Sequence, residues 1–187
     1  MSARQRLIDT TIALVRRRGV ASASVSQILE HSGLARRTLY LNFPEGKPEL
    51  VAAATESAAS GFSSMLEGMV IGDDPIASVA AFVRAWETAL ADSDYSAGCP
   101  IVAATLGASE APAAALAAAN AFTQWVRLLA QPLVEAGLDP TAAEDLATTV
   151  VATIEGAVIM SMAARSALPL QRAGRDLATL IAARLGN

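Results

Sequence analysis

The sequence contains one cysteine, Cys99, and one histidine, His31, in 187 residues. A single thiol excludes an internal disulfide framework, and the lack of a Cys/His cluster leaves nothing to build a structural zinc site. The start of the chain lacks a basic segment followed by an apolar one. The longest apolar run, Val150 to Ala164, is short for a bilayer span and carries Glu155. A protein of the reducing cytoplasm, without a membrane segment, is therefore expected. There is also no glycine-rich loop between a strand and a helix, no metal-ligand cluster, and no partner for the lone histidine, so neither catalytic residues nor a cofactor or metal site are expected.

Charge is what the sequence does have, unevenly placed. The whole chain carries −4. Residues 1–50 hold 8 Lys/Arg against 4 Asp/Glu, a local +4, and the remainder is −8. A polyanion is drawn to the N-terminal end alone, although two ordinary solvated faces would give the same count.

Alanine-rich segments punctuated by Gly and Pro predict an all-α protein of about nine helices and no strand. A first helix is expected over residues 3–18, with Leu7, Ile8, Thr11, Ile12, Leu14 and Val15 on one side and Gly19 as its stop. Ser24-Val25-Ser26-Gln27 reads as a capping box opening a short second helix, which Gly33 ends. A third short helix follows from Arg36 to Asn42, expected to bury Leu39, Tyr40 and Phe43 on one side. A longer helix starts near Lys47-Pro48. Beyond it, an Asp or Ser followed by Pro recurs at Asp74-Pro75, Ser109-x-x-Pro112 and Asp139-Pro140. These boundaries predict helices near 75–92, 110–136 and 140–167, with a short one near 99–107 and a last one near 170–185. Two domains are expected, residues 1–46 and 47–187.

Gly19, Ser24-Val25-x-x-Ile28, Ser32-Gly33-Leu34, Thr38-Leu39-Tyr40, Phe43 and Lys47-x-x-Leu50 together resemble the DNA-binding domain of the TetR family. Several residue types at fixed offsets within about thirty positions make this more specific than helix-turn-helix spacing alone. The resemblance implies a cytoplasmic, homodimeric regulator that binds double-stranded operator DNA, most often a repressor, released by a small apolar or amphipathic inducer. In a helix-turn-helix the first residues of the second helix meet base edges in the major groove, here Arg36 and Arg37. Each guanidinium either pairs with guanine O6 and N7 or contacts phosphate. The resemblance makes Ser26, Thr38, Tyr40, Asn42 and Lys47 further DNA contacts, with the Tyr40 ring also free to fill the small core. His31 is read as a surface or helix-terminus residue. The chain departs from the family pattern at Ala35, where a capping Ser is common, at Arg37, where a small residue is common, at Asn42, where His is common, and in a Phe43-to-Lys47 spacing one residue longer than usual.

For the C-terminal part the resemblance implies dimerisation through the last two helices and an inducer pocket among the middle ones. Ala152, Gly156, Ala157, Ala163 and Ala164 allow close helix approach, and Leu177, Leu180, Ile181 and Leu185 form an apolar stripe. Phe82, Trp86, Phe122, Trp125 and Met160 are candidate pocket residues, each also readable as plain core. Glu155, an acid inside an apolar run, must be paired, exposed or shifted in pKa, and is a candidate for a cationic ligand or an interface. Cys99 lies in Gly98-Cys99-Pro100-Ile101, similar to a segment in the drug-resistance-regulator branch of the family, and is the remaining pocket candidate. A helical interaction module without DNA binding is the competing reading, opposed by the basic N-terminal part.

Overall fold

The computed structural model describes residues 1–69 and 74–186. Among these the chain is all-α, with nine helices and no strand: α1 (Ala3–Ser22), α2 (Val25–Ser32), α3 (Arg36–Asn42), α4 (Lys47–Met69), α5 (Pro75–Asp92), α6 (Pro100–Leu106), α7 (Pro112–Glu135), α8 (Pro140–Ala164) and α9 (Leu168–Leu185). Two compact units are formed. One comprises Met1–Gly61 and Cys99–Ala121, the other Phe62–Gly98 and Phe122–Asn187.

In the first unit, α1 packs against α2, α3 and α6. Its core is Leu7, Leu14, Val20, Ile28, Leu39, Phe43 and Leu50, each almost wholly excluded from solvent. α1 runs on past its expected end at Arg18, but Gly19 (φ 74°, ψ 171°) leaves helical geometry there, so the residues after it form a separate turn. This backbone region is open to glycine and closed to a residue with a Cβ. The Ser24 Oγ accepts the Gln27 N–H at 3.3 Å, the forward half of the expected capping box. The return half is not made. Ser24 N–H is already bonded to Ser22 O at 3.0 Å, and the Gln27 carboxamide instead donates to Ser22 O and accepts from Arg18 Nη1 at 2.8 Å.

Aspartate-proline pairs open α5 and α8 as expected. Asp74 accepts from Ala77 N at 2.9 Å, and Asp139 accepts from Thr141 N and Ala142 N at 3.0 and 3.3 Å. α7 begins at Pro112, with Ser109 in the preceding turn. In the second unit α9 packs against α5 and α8, burying Leu170, Leu177 and Ile181. The run Val150 to Ala164 belongs to a 25-residue helix whose length and mean hydropathy of 1.6 would satisfy a bilayer span. Here its Leu146, Val150, Ile154, Ala157 and Val158 are buried within the unit.

Candidate nucleic-acid interface and aromatic core

The turn between α2 and α3 is set by Gly33, whose left-handed conformation (φ 64°) closes α2 through a 2.9 Å bond from its N–H to Leu29 O. Left-handed glycine after a helix satisfies carbonyls the helix leaves unpaired. α3 then starts at Ala35, which has the extended backbone of an N-cap but no side-chain cap bond. Leu39 and Phe43 hold α3 to the core at 0% exposure, which turns the other face outward. Arg36 and Arg37 stand exposed in its first turn. Arg4 of α1 places its guanidinium 4.9 Å from the centroid of the Phe43 ring, a geometry in which the ring quadrupole attracts the cation.

Tyr40 was expected in the buried stripe, and it is not there: 44% of it is exposed. Its ring lies over Gly46, where a Cβ would come within 3.1 Å of Cε1. The absence of a side chain at residue 46 gives the ring a seat at the edge of the core. Thr38 and Asn42 are half-buried, and Asn42 Nδ2 donates to Thr38 O at 2.8 Å. Ser26 is exposed in the first turn of α2. The Lys47 ammonium lies 3.5 Å from the Glu110 carboxylate and 3.4 Å from Ala21 O, so it is held within its own unit. His31 Nδ1 lies 2.8 Å from Gln27 O, in keeping with a helix-terminus role. Arg16 is half-buried. Burial lowers its pKa below the usual arginine value, the nearby Cys99 opposes this, and Arg17 adds to it.

By composition the first unit holds 8 Lys/Arg and 6 Asp/Glu, and the second 6 and 12. The positive excess thus stays with the unit that carries α2 and α3, while the other is acidic. Such an asymmetry favours approach of a polyanion to one unit only.

The second unit is centred on aromatic rings. Phe62 stacks on Trp86 with centroids 5.6 Å apart and planes 28° apart. It also meets Trp125 at 5.5 Å, and Phe122 meets Trp125 edge-on at 5.4 Å. Both tryptophans are 2% exposed. Trp125 Nε1 donates to Ser63 Oγ at 3.2 Å. Trp86 Nε1, equally buried, has no hydrogen-bond partner among the described residues. Phe82 and Glu155 are buried in the same unit, at 7% and 8% exposure. Of the other pocket candidates, Met160 is 62% exposed on the outer side of α8, and Cys99 is buried in the first unit. The structure therefore groups Trp86, Phe122 and Trp125 through Phe62, and turns Met160 outward. Among the described residues no cluster of His, Cys, Asp and Glu is placed to hold a metal ion.

Residues 7–54 match the family of bacterial regulatory proteins of the tetR type, and residues 75–176 match the C-terminal domain of LmrA/YxaF-like transcriptional regulators. The chain is 31% identical to an uncharacterised helix-turn-helix-type transcriptional regulator of Mycobacterium tuberculosis, over 97% of this chain and 95% of that one. The chain belongs to the TetR family. Another relative is the helix-turn-helix-type transcriptional regulator LmrA of Bacillus subtilis, 25% identical over 89% of this chain and 90% of its own. The fold agrees with that of TetR regulators from Rhodobacter sphaeroides (TM-score 0.85, 22% identity, covering 95% of this chain and 97% of that one) and Legionella pneumophila (0.87, 16%, covering 96% and 97%). TetR-family transcriptional regulators are DNA-binding regulators.

Within this TetR-family chain, three contributors escaped the sequence reading. Phe62 joins both tryptophans. Ser63 accepts the Trp125 N–H. Glu110 takes the charge of Lys47. Only Phe62 left a usable trace: it is a large ring in a helix otherwise rich in Ala and Ser, with Met65, Leu66 and Met69 following at helical spacing.

Proposed function

We propose that the chain is a cytoplasmic homodimeric repressor whose affinity for operator DNA falls when an apolar or amphipathic small molecule enters its C-terminal domain. The observation carrying this reading is the pair Arg36 and Arg37, exposed in the first turn of α3 while Leu39 and Phe43 anchor that helix. Arg36 and Arg37 reach base edges, and Ser26, Thr38 and Tyr40 contact phosphate or order the residues that do. Asn42 supports Thr38 from within α3. Lys47 contributes as a second layer, because its ammonium is engaged by Glu110 before DNA arrives. Residues 1–46 act as the reading head and residues 47–187 as the regulatory and dimerisation part.

Dimerisation follows from α8. Ala152, Ile159, Met160 and Ala163 are exposed and Gly156 half-buried, at spacings that place them along one side of the helix. Ile159 and Met160 are 53% and 62% exposed. An apolar stripe of small residues with two large ones fits a second copy of the same helix, and two-fold pairing presents two reading heads to a pseudo-palindromic operator.

The test is footprinting on the fragment upstream of the protein's own gene, with sedimentation of the protein–DNA complex. The expected result is one protected pseudo-palindrome with half-site centres about 34–36 Å apart, occupied by an even number of chains. Protection of a single half-site by one chain would refute the dimeric reading.

A further inference from the structure

Two carboxylates stand near the start of α4, and they are employed differently. Glu49 turns back to accept the Glu45 N–H at 2.9 Å, so it caps its own helix. Glu110 comes from the turn before α7, and its carboxylate meets the Lys47 ammonium at 3.5 Å. That turn is fixed by two backbone bonds, from Glu110 N and Ala111 N to Gly107 O at 3.0 Å each. The same ammonium lies 3.4 Å from Ala21 O. Both distances exceed the roughly 2.7–2.9 Å of a well-made charge-assisted bond, and an ammonium has three donors. Lys47 is therefore held loosely by two partners. Its side chain is 22% exposed and that of Glu110 is 43% exposed. An ion pair so open to water is worth only about 1.4- to 5-fold in an equilibrium constant, so a phosphate can compete for the ammonium.

Tyr40 marks where such a phosphate meets the protein. A Cβ at Gly46, the residue before Lys47, would lie 3.9 Å from the Tyr40 hydroxyl. The phenol thus stands beside the start of a 23-residue helix, whose positive dipole end attracts anions. Glu110 brings a negative charge to the same place. We infer that Glu110 is a positioning residue that holds Lys47 back from the DNA phosphate at Tyr40, lowering affinity for DNA of every sequence alike. The inference rests on the DNA-reading head described above and adds to it a residue from outside residues 1–46. Uniformity follows because phosphate contacts carry no sequence information.

Glu110→Gln tests this, since it keeps the shape of the side chain and removes its charge. Affinities of the full chain are measured by fluorescence anisotropy for the footprinted fragment and for a scrambled duplex, with melting curves to show that each variant is folded. With two heads per dimer, Glu110→Gln is expected to bind both duplexes about 2- to 30-fold more tightly than the wild type and by the same factor. The gain shrinks as salt rises, because exposed charges are screened over about 10 Å at 0.1 M. Glu110→Asp, which keeps the charge, stays closer to the wild type than to Glu110→Gln. In a Lys47→Ala background the gain from Glu110→Gln is smaller, since only direct repulsion of DNA remains. Unchanged or weaker binding by Glu110→Gln, as for a group that merely supports the turn or presents Lys47 to DNA, would overturn the inference. So would a gain confined to one duplex, a gain independent of salt, or a gain of full size without Lys47. A selective wild type with any of these results keeps the operator-reading proposal and removes Glu110 from it. Tightening on both duplexes by a protein that prefers neither keeps the role of Glu110 and removes sequence selection.

Discussion

Gly107→Ala is a sharp test of the packing that supports the reading head. Gly107 follows α6, and a Cβ built there would lie 2.6 Å from both Cβ and Cγ2 of Val20 and 3.3 Å from Ala103 O. Carbon atoms pack best at about 3.5–4.0 Å, so roughly 1 Å must be opened between two elements. Val20 is 2% exposed, is β-branched, and follows the bend at Gly19, so it has little freedom to turn away. Gly107 has φ −89°, which alanine adopts freely, so the substitution adds a clash without backbone strain. Overpacking of this kind costs about 1–3 kcal/mol, against which alanine returns about 0.4–1 kcal/mol by restricting the unfolded chain. The mid-range net loss is about 1.3 kcal/mol; at about 2–4 °C per kcal/mol for a chain of this size, the melting temperature should fall by roughly 3–5 °C, measured by circular dichroism at fixed protein concentration. Val20→Ala removes Cγ2 but keeps Cβ, so it relieves part of the clash. The double variant should be more stable than the sum of the two single changes by about 1 kcal/mol. A Gly107→Ala protein that melts at or above the wild type, or a double-mutant cycle additive within about 0.5 kcal/mol, would refute the reasoning.

Two further outcomes follow from hydrogen bonds. Ser63→Ala strands the buried Trp125 N–H and should cost about 1–3 kcal/mol in urea unfolding; an unchanged midpoint would show that this bond is not the indole's support. Ala35→Ser supplies the missing cap of α3 on a backbone already in cap geometry (φ −75°, ψ 151°). It should stabilise the protein by about 0.5–1 kcal/mol, read from the same titration, and a lower midpoint would contradict it.

Boundaries were the most legible part of this chain, because their signals are local. Asp74-Pro75, Asp139-Pro140 and Gly33 each act through a cap or a backbone conformation that depends on one or two residues. Faces were less legible. Tyr40 follows the buried Leu39 and by spacing belongs to the same stripe, yet it stands 44% exposed, because the ring rests over Gly46 beside the core. In α8 the pattern could not distinguish inside from outside, since both sides are apolar: Val150, Ile154 and Val158 face inward while Ala152, Ile159 and Met160 face out. Met160 therefore reads as a pocket residue from sequence although it faces out. The aromatic cluster was half visible, as Trp86, Phe122 and Trp125. Phe62 comes from a helix distant in sequence, and nothing local reports contacts of that range. Lys47 was legible as a base at a helix start, while its engagement by Glu110, 63 positions away, was not.

The central claim is that α3 reads operator sequence through Arg36 and Arg37. It is tested most directly by salt-dependent binding of the wild type and of Arg36→Ala/Arg37→Ala to the footprinted fragment and to a scrambled duplex. For the wild type the account predicts selective binding, with log K falling against log salt at a slope of about −5 to −7, as for six to eight phosphate contacts per dimer. For the double variant it predicts loss of the preference for the footprinted fragment over the scrambled one. Equal affinity of the two proteins for both duplexes would contradict it.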